Sequence, residues 1–445
     1  MTMQNQSNLH QILVVGGGAG GAELAKKLGH SLGKRKQAEI TLIDAKMTHI
    51  WKPLLHEVAA GTLNSSVEAM QYMDHAHRHH YRFRLGYMDT VDRVKKEVSL
   101  APTLDDKGEE ITPRRSFRYD TLIISVGSLT KHFNIEGVVD HCQFLDSLEE
   151  ANNFQAYLMK KMLRAQTRTG PLRPGQLHVA IAGAGATGIE LAAELHGATK
   201  QLIAYGFDNL EANRDIKITI IEASPTILPA LPERLSKATL DELETLGIEV
   251  MTNERVVKAE AGGLHTQSGK FIPAETMVWA AGVKAPNFLA KIEGLEANDI
   301  NQLIVKTTLE TTNDENIFAF GDCASCPLIG KEGFVPPRAQ AAHQQASLLV
   351  KSMKNRLAGK TLPEYKYVDY GSLVNLGRYS TVGSLMGNMG HWSGSLKVEG
   401  FLARVVYKSL YRMHLIALHG YTREVLMTIA NWITNRGIKP RLKLH

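Results

Sequence analysis

Two glycine-rich runs carry the clearest chemistry in the chain: Gly16-Gly17-Gly18-Ala19-Gly20-Gly21 and Gly183-Ala184-Gly185-Ala186-Thr187-Gly188. Each follows a short apolar stretch, Gln11 to Val15 and His178 to Ala182, and opens an apolar run compatible with a helix. In this G-x-G-x-x-G pattern Gly16 and Gly183 permit the tight turn, and Gly18 and Gly185 let the backbone approach a pyrophosphate. Gly21 and Gly188 let the helix pack close to the strand, so its N-terminal N–H groups and positive dipole end face the phosphates. Each run leads on to an apolar strand with an acidic end, Ile40 to Asp44 and Ile218 to Glu222. A carboxylate there accepts hydrogen bonds from ribose hydroxyls and repels a 2′-phosphate. Ala223, Ser224 and Pro225, rather than an arginine, follow Glu222, so the second site is expected to prefer NADH over NADPH. Two such units imply two dinucleotides held at once and electrons passing between them.

Other residues are open to more than one chemistry. Gln340 and His343 follow Pro336-Pro337 at i and i+3, on one face of an expected helix. An amide can donate to a carbonyl and an imidazole can pass it a proton, although a plain polar helix face would look the same. Glu190 stands two residues past the third glycine of the second run, where an acid also suits a helix N-terminus. Cys323-Ala324-Ser325-Cys326 reads either as a redox pair or as two small buried residues. With no second ligand pair nearby it is not expected to bind zinc. The run Asp74-His75-Ala76-His77-Arg78-His79-His80 lacks thiolates and carries Arg78 in its midst, so a solvated helix end is expected there rather than a metal site.

These residues need α/β scaffolding, and the length of 445 residues allows two or three domains with real cores. Apolar residues at 44 % and charged residues at 22 % fit a soluble globular protein. Three cysteines (Cys142, Cys323, Cys326) make no disulfide framework and suit a reducing compartment. The polar start, Met1 to His10, lacks a signal-peptide core, and no run of apolar residues is long enough to span a bilayer. A cytoplasmic chain is expected. The plan of the first glycine-rich unit, closing on the strand Arg118 to Ser128 with Gly127, repeats in the second, whose matching strand Glu275 to Gly282 ends on Gly282. An internal domain duplication follows, joined by a polar, glycine- and proline-rich linker near Gln166 to Pro174. A third stretch carries Ile317 to Ala324, an apolar strand running into Gly321-Asp322.

This layout resembles the flavoproteins with two dinucleotide-binding domains, in which the FAD domain is interrupted by the NAD domain. Trp51-Lys52-Pro53-Leu54-Leu55-His56-Glu57, Gly185 to Glu190 and Ala339-Gln340-Ala341-Ala342-His343-Gln344 make it look like a type II NADH dehydrogenase, a non-pumping NADH:quinone oxidoreductase. The resemblance implies two Rossmann-like domains: residues 9–165 and 299–358 for FAD, 172–298 for NADH, and 359–445 as a C-terminal membrane-association region. It assigns Gly16, Gly18, Gly21, Asp44, Lys52, Pro53, Leu54, Gly127 and Asp322 to FAD. Gly183, Gly185, Gly188, Glu222 and Gly282 fall to NADH. Glu190, Gln340 and His343 are then the acid–base residues, the last two beside a quinone, and no metal is implied.

The tail supports a membrane-borne acceptor. From Lys397 to His445 there are nine basic residues and two acidic ones, a charge of +7; the chain total of +6 leaves −1 for everything before. Leu402, Val406, Leu410, Met413 and Ala417 recur at helical steps, with Arg404, Lys408 and Arg412 opposite. Such amphipathic basic helices lie at membrane surfaces, Trp432 suits the headgroup region, and Arg436, Lys439, Arg441 and Lys443 follow it. Residues 397–445 are therefore expected to bind an anionic membrane surface, at the cytoplasmic face of a bacterial inner membrane. The same helices could pack into a core or pair two copies as a homodimer; no nucleic-acid motif accompanies them. A sulfide:quinone oxidoreductase remains as a rival, although it needs cysteines flanking the flavin, and so does an NADH-sensing flavoprotein of negligible turnover.

Overall fold

The computed structural model describes residues 9–435 apart from 106, 230, 377–380 and 388–393; side chains are left aside at 67, 372, 381–387, 394–408, 431–432 and 434–435. Two compact units emerge. One comprises residues 1–51, 69–129 and 283–369, the other 52–68, 130–282 and 370–445.

The first unit is built on a six-stranded sheet. Its parallel strands run in the order Arg82–Leu85, Ala38–Asp44, His10–Val15, Thr121–Ile124 and Asp314–Ala319, with the short Glu310–Thr311 antiparallel at the edge. Ile12, Leu13, Val14 and Val15 are all buried, as both faces of a central parallel strand must be. The strand order turns back at His10–Val15, which places the Gly16–Gly21 loop at the switch point where such sheets bind ligands. The helices Ala19–Leu28 and Ala339–Leu357 pack on one another in this unit. Their approach is close because a Cβ at Gly20 would stand 2.5 Å from the Phe320 ring and 3.0 Å from the Ala342 carbonyl oxygen.

The second unit repeats the scheme with four parallel strands, Glu249–Met251, Lys217–Ile221, His178–Ala182 and Thr276–Trp279. Ala180, Ala182, Met277 and Trp279 share a buried cluster with Leu264 and Ile272 of an antiparallel meander. Each such large side chain taken from water contributes about 1.5–3 kcal/mol. The Leu55–Ala60 helix packs in this unit on the helices Leu148–Gln166 and Ala186–Ala204. Compactness thus divides the chain differently from the segments expected: Lys52–Glu68 and the helix Leu148–Gln166 join the second body. Three antiparallel strands, Gly371–Asn375, Thr381–Gly387 and Gly394–Glu399, precede the terminal helices Gly400–His419 and Tyr421–Asn435. Among the described residues no helix is long and apolar enough to cross a membrane.

Candidate functional site

In the first unit the glycines do what their positions demand. Gly16 has φ +100°, and a Cβ there would stand 2.3 Å from the Ser125 carbonyl oxygen. At Gly21 a Cβ would meet the Gly16 carbonyl oxygen at 1.9 Å, so the helix can seat on the strand only with glycine. Gly18 differs. A Cβ there meets nothing within 4 Å, and its φ of −54° suits any residue. The open space lies at the start of the Ala19–Leu28 helix, which has no side-chain cap and no acid in its first turn. That is a cradle for a phosphate group. Gly127, at φ +70°, also has nothing within 4 Å of its Cβ position. Asp44 Oδ2 accepts from Gly17 N at 2.6 Å and Oδ1 from Lys46 N at 2.8 Å, so the acid clasps the loop. Burial nevertheless pushes its carboxyl above the usual range. Asp322 accepts from Ser128 Oγ at 2.8 Å, and its carbonyl accepts from Gln302 Nε2 at 2.9 Å.

The second unit reproduces this clasp atom for atom. Gly183 has φ +110°, a Cβ at Gly188 would stand 2.1 Å from the Gly183 carbonyl oxygen, and one at Gly185 meets nothing within 4 Å. Glu222 Oε2 accepts from Ala184 N at 2.7 Å and Oε1 from Ser224 N at 2.8 Å. The Ala186–Ala204 helix again begins without a side-chain cap or a first-turn acid. Gly282 closes the matching strand at φ +68°, with its Cβ position 2.7 Å from the Phe133 ring. The donor set in both clasps fits the pyrophosphate and ribose of a dinucleotide. Because Glu222 ties the glycine loop through Ala184 N and its own turn through Ser224 N, Glu222→Arg should loosen both besides losing the ribose acceptor. Each lost bond to a charged group costs about 1.5–3 kcal/mol, so the KM for NADH is expected to rise about tenfold or more in steady-state assays.

On the helix Ala339–Leu357 the expected polar face exists, and it is anchored by carboxylates that the sequence did not point to. His343 Nδ1 is hydrogen-bonded to Glu23 on the Ala19–Leu28 helix, and Lys27 donates to the same carboxylate. Burial alone would raise the Glu23 carboxyl, but the hydrogen bonds and charges of His343 and Lys27 outweigh it and hold it below the usual range. Gln340 Nε2 donates to Asp369 Oδ1 at 3.2 Å, and Arg338 faces the same carboxylate at 3.3 Å. The fixed ring of His343 is the arrangement that orients an imidazole for proton transfer.

Glu190 sits in the second turn of its helix, not the first, and is 6 % exposed, so an interaction with the helix N-terminus does not explain it. Its Oε1 accepts from Asn375 N at 2.9 Å, and its Oε2 stands 3.5 Å from His56 Nδ1. Burial pushes Glu190 well above the usual carboxylate range, with Glu57 and Glu194 adding to the shift. Lys52, on the short turn Lys52–Leu54, is paired with Asp146 at 3.0 Å, and Thr130 donates to Asp146 through both N and Oγ1. Within the second unit, then, Lys52, Pro53 and Leu54 lead directly into the helix that carries His56.

The remaining candidates resolve individually. Cys142, Cys323 and Cys326 are buried free thiols, and burial pushes each up to about 12. That buried setting is the opposite of the exposed, electropositive one in which a thiol becomes reactive. The histidine run is less solvated than expected: His75 is 3 % exposed and hydrogen-bonded through Nδ1 to Tyr81 at 2.8 Å, while His79 faces His30 at 2.7 Å. On the terminal helices, Leu410, Met413, Leu426, Ile429 and Ile433 are exposed, whereas His414 and Leu418 are buried. The side chains of Leu402, Arg404, Val406, Lys408 and Trp432, and residues Arg436, Lys439, Arg441 and Lys443, lie outside the described residues.

Comparison with known proteins agrees with this architecture. Residues 10–346 match the pyridine nucleotide-disulphide oxidoreductase family. A type II NADH:quinone oxidoreductase of Haemophilus influenzae is 43 % identical over 450 aligned residues, 98 % of this chain and 100 % of that protein. One from Staphylococcus aureus is 29 % identical over 85 % of this chain and 90 % of its own length. Among solved structures, NDH2 of Plasmodium falciparum in complex with NADH shares the fold at a TM-score of 0.82, with 20 % identity over 98 % of this chain and 100 % of that one. The sulfide:quinone oxidoreductase of Aquifex aeolicus shares it at 0.69, with 18 % identity over 97 % and 96 %. The chain therefore belongs to the pyridine nucleotide-disulphide oxidoreductase family and, within it, to the type II NADH:quinone oxidoreductases.

Proposed function

We infer that this protein is an FAD-dependent enzyme that oxidises NADH and reduces a membrane quinone. The observation that carries the reading is the match at 43 % identity across almost the whole chain. Two dinucleotide clasps of one build support it. When bound, FAD supplies the hydride acceptor and the two-electron donor, so the chain's own task is to bind, orient and deliver protons. Gly16, Gly18, Gly21 and Asp44 would hold the adenosine and pyrophosphate of FAD, and Gly127 and Asp322 its ribityl side. Lys52, Pro53 and Leu54 are assigned to the flavin as well. Gly183, Gly185, Gly188, Glu222 and Gly282 would hold NADH, with the carboxylate of Glu222 disfavouring a 2′-phosphate.

The overall reaction, NADH + H⁺ + quinone → NAD⁺ + quinol, consumes one proton from water per turnover. Gln340 would donate to a quinone carbonyl and His343 would protonate it, its ring held by Glu23. Glu190, buried and raised toward its protonated form, would hold the proton that the reaction consumes. Residues 397–445 would bind an anionic membrane surface. The basic excess of the tail and the exposed apolar side chains of the Tyr421–Asn435 helix support that docking.

Anaerobic rapid mixing tests the reading. NADH should bleach the flavin within the turnover time, and a short-chain quinone should restore its colour. Glu190→Gln should bleach normally and recover about 100-fold more slowly, in the range typical of a lost general acid. Recovery at the parent rate would remove Glu190 from the proton path. Failure of NADH to bleach the parent would overturn the function.

A further inference from the structure

His56 lies at the second position of the short Leu55–Ala60 helix and is 2 % exposed. Its two ring nitrogens face two carboxylates. Nδ1 is 3.5 Å from Glu190 Oε2, and Nε2 is 4.0 Å from Glu57 Oε1. A ring N–H also donates to the Pro53 carbonyl, while Nε2 is buried and without a hydrogen-bond partner. Leaving such a group unsatisfied is costly, and an apolar side chain would fill the place without that cost. The two carboxylates differ in access: the side chain of Glu57 is 20 % exposed, that of Glu190 only 8 %.

We propose that His56 relays the proton consumed in each turnover from Glu57, at the solvent side, to Glu190 inside. The proposal rests on the reading of Glu190 as the proton-holding residue. Protonated Glu57 gives its proton to Nε2 as the N–H at Nδ1, which at rest donates to the Pro53 carbonyl, passes to the Glu190 carboxylate 3.5 Å away; tautomer exchange then resets the ring. The relay requires the partly exposed Glu57 side chain to swing onto Nε2 across the 4.0 Å gap. The resting states suit this direction, since burial pushes His56 down to about 4 and keeps the carrier neutral between transfers. Asn375 N donates to Glu190, and Thr62 Oγ1 donates to Glu194 at 3.0 Å. Tyr411 donates to Glu68 at 2.7 Å and also feels the charges of Glu424 and Glu57. Glu57, His56 and Glu190 are joined by the two distances of 4.0 Å and 3.5 Å.

His56→Asn keeps a donor near the Nδ1 position but deletes the second nitrogen, and His56→Gln is the companion should Asn disturb the fold. With flavin content and thermal stability matching the parent, bleaching by NADH should stay within about twofold while reoxidation by a short-chain quinone slows about tenfold or more. The solvent deuterium isotope effect on reoxidation should grow, and added imidazole should restore part of the rate. Glu57→Gln should act in the same sense. Parent-like reoxidation in both His56 variants, with Glu190→Gln slow, overturns the relay and leaves Glu190 in place. Parent-like reoxidation in all three overturns the role of Glu190 and the relay with it. Equal slowing of both half-reactions would make His56 a positioning residue and refute the relay.

Discussion

Valine at Gly185 is expected to abolish practical NADH use while leaving the fold intact, and valine at Gly188 is expected to unfold the second unit. The two glycines are three residues apart and their surroundings are opposite. At Gly188 a Cβ would stand 2.1 Å from the Gly183 carbonyl oxygen, a backbone atom that cannot move without opening the strand-to-helix turn. At Gly185 it meets no atom within 4 Å, and the backbone is extended at φ −74° and ψ 178°, which any residue adopts. Any penalty at Gly185 therefore arises only when a ligand fills that space. Losing two charge-assisted bonds from the helix N-terminus, at about 1.5–3 kcal/mol each, corresponds to roughly 10²–10⁴ in affinity. Thermal unfolding and NADH-driven flavin bleaching separate the two effects. Gly18 and Gly21 should behave as the same pair toward FAD content, since a Cβ at Gly18 meets nothing and one at Gly21 meets a carbonyl at 1.9 Å. An unaltered NADH affinity in a stable Gly185→Val protein would show that the pyrophosphate lies elsewhere.

The same contrast explains what the sequence could and could not disclose. The glycine runs, Asp44 and Glu222 were readable because their work is local: strand, turn and helix are contiguous, and the acid ends the next strand. From the sequence the acids are expected on a ribose; what the structure shows is each tied to its own loop, Asp44 to Gly17 N and Glu222 to Ala184 N. That bond spans 27 residues in one case and 38 in the other, and no spacing rule encodes it. Gln340 and His343 were readable as a helical face, but Glu23 and Asp369, which fix them, lie 320 and 29 residues away. Glu23 carries one legible signal: an acid inside an otherwise small and apolar run, Ala19 to Ala25, needs a partner once buried. His56 was visible only as part of a motif. Its carboxylate neighbours come from its own helix and from the distant Ala186–Ala204, a packing that composition and periodicity do not report. The histidine run misled for a related reason, because a two-residue displacement around the helix separates buried His75 from exposed His77.

Exchanging Leu426, Ile429 and Ile433 for glutamate is expected to release the protein from anionic vesicles without loss of NADH oxidation by a soluble short-chain quinone. These side chains are 67 %, 50 % and 58 % exposed, and they recur at steps of three and four on the Tyr421–Asn435 helix, so they form one apolar stripe that faces away from the unit's core. Val425 and Tyr421 extend it. Each large apolar side chain withdrawn from the membrane forfeits about 1.5–3 kcal/mol. Each new carboxylate adds repulsion of about 1 kcal/mol near anionic headgroups. Together these lower the partition constant by roughly 10⁴ or more. The fold should survive, because the buried anchors of the helix pair are other residues: His414, Leu418, Glu424 and the Tyr411 hydroxyl that donates to Glu68. Removing residues 397–445 outright would be a poorer experiment, since it also strips those anchors and confuses unfolding with release. Sedimentation of the triple variant with vesicles at the parent level, in low and high salt alike, would move the membrane contact off this helix. Release with intact turnover would mean that docking and redox chemistry are carried by separate surfaces, because the quinone would still be reduced when it arrives from water.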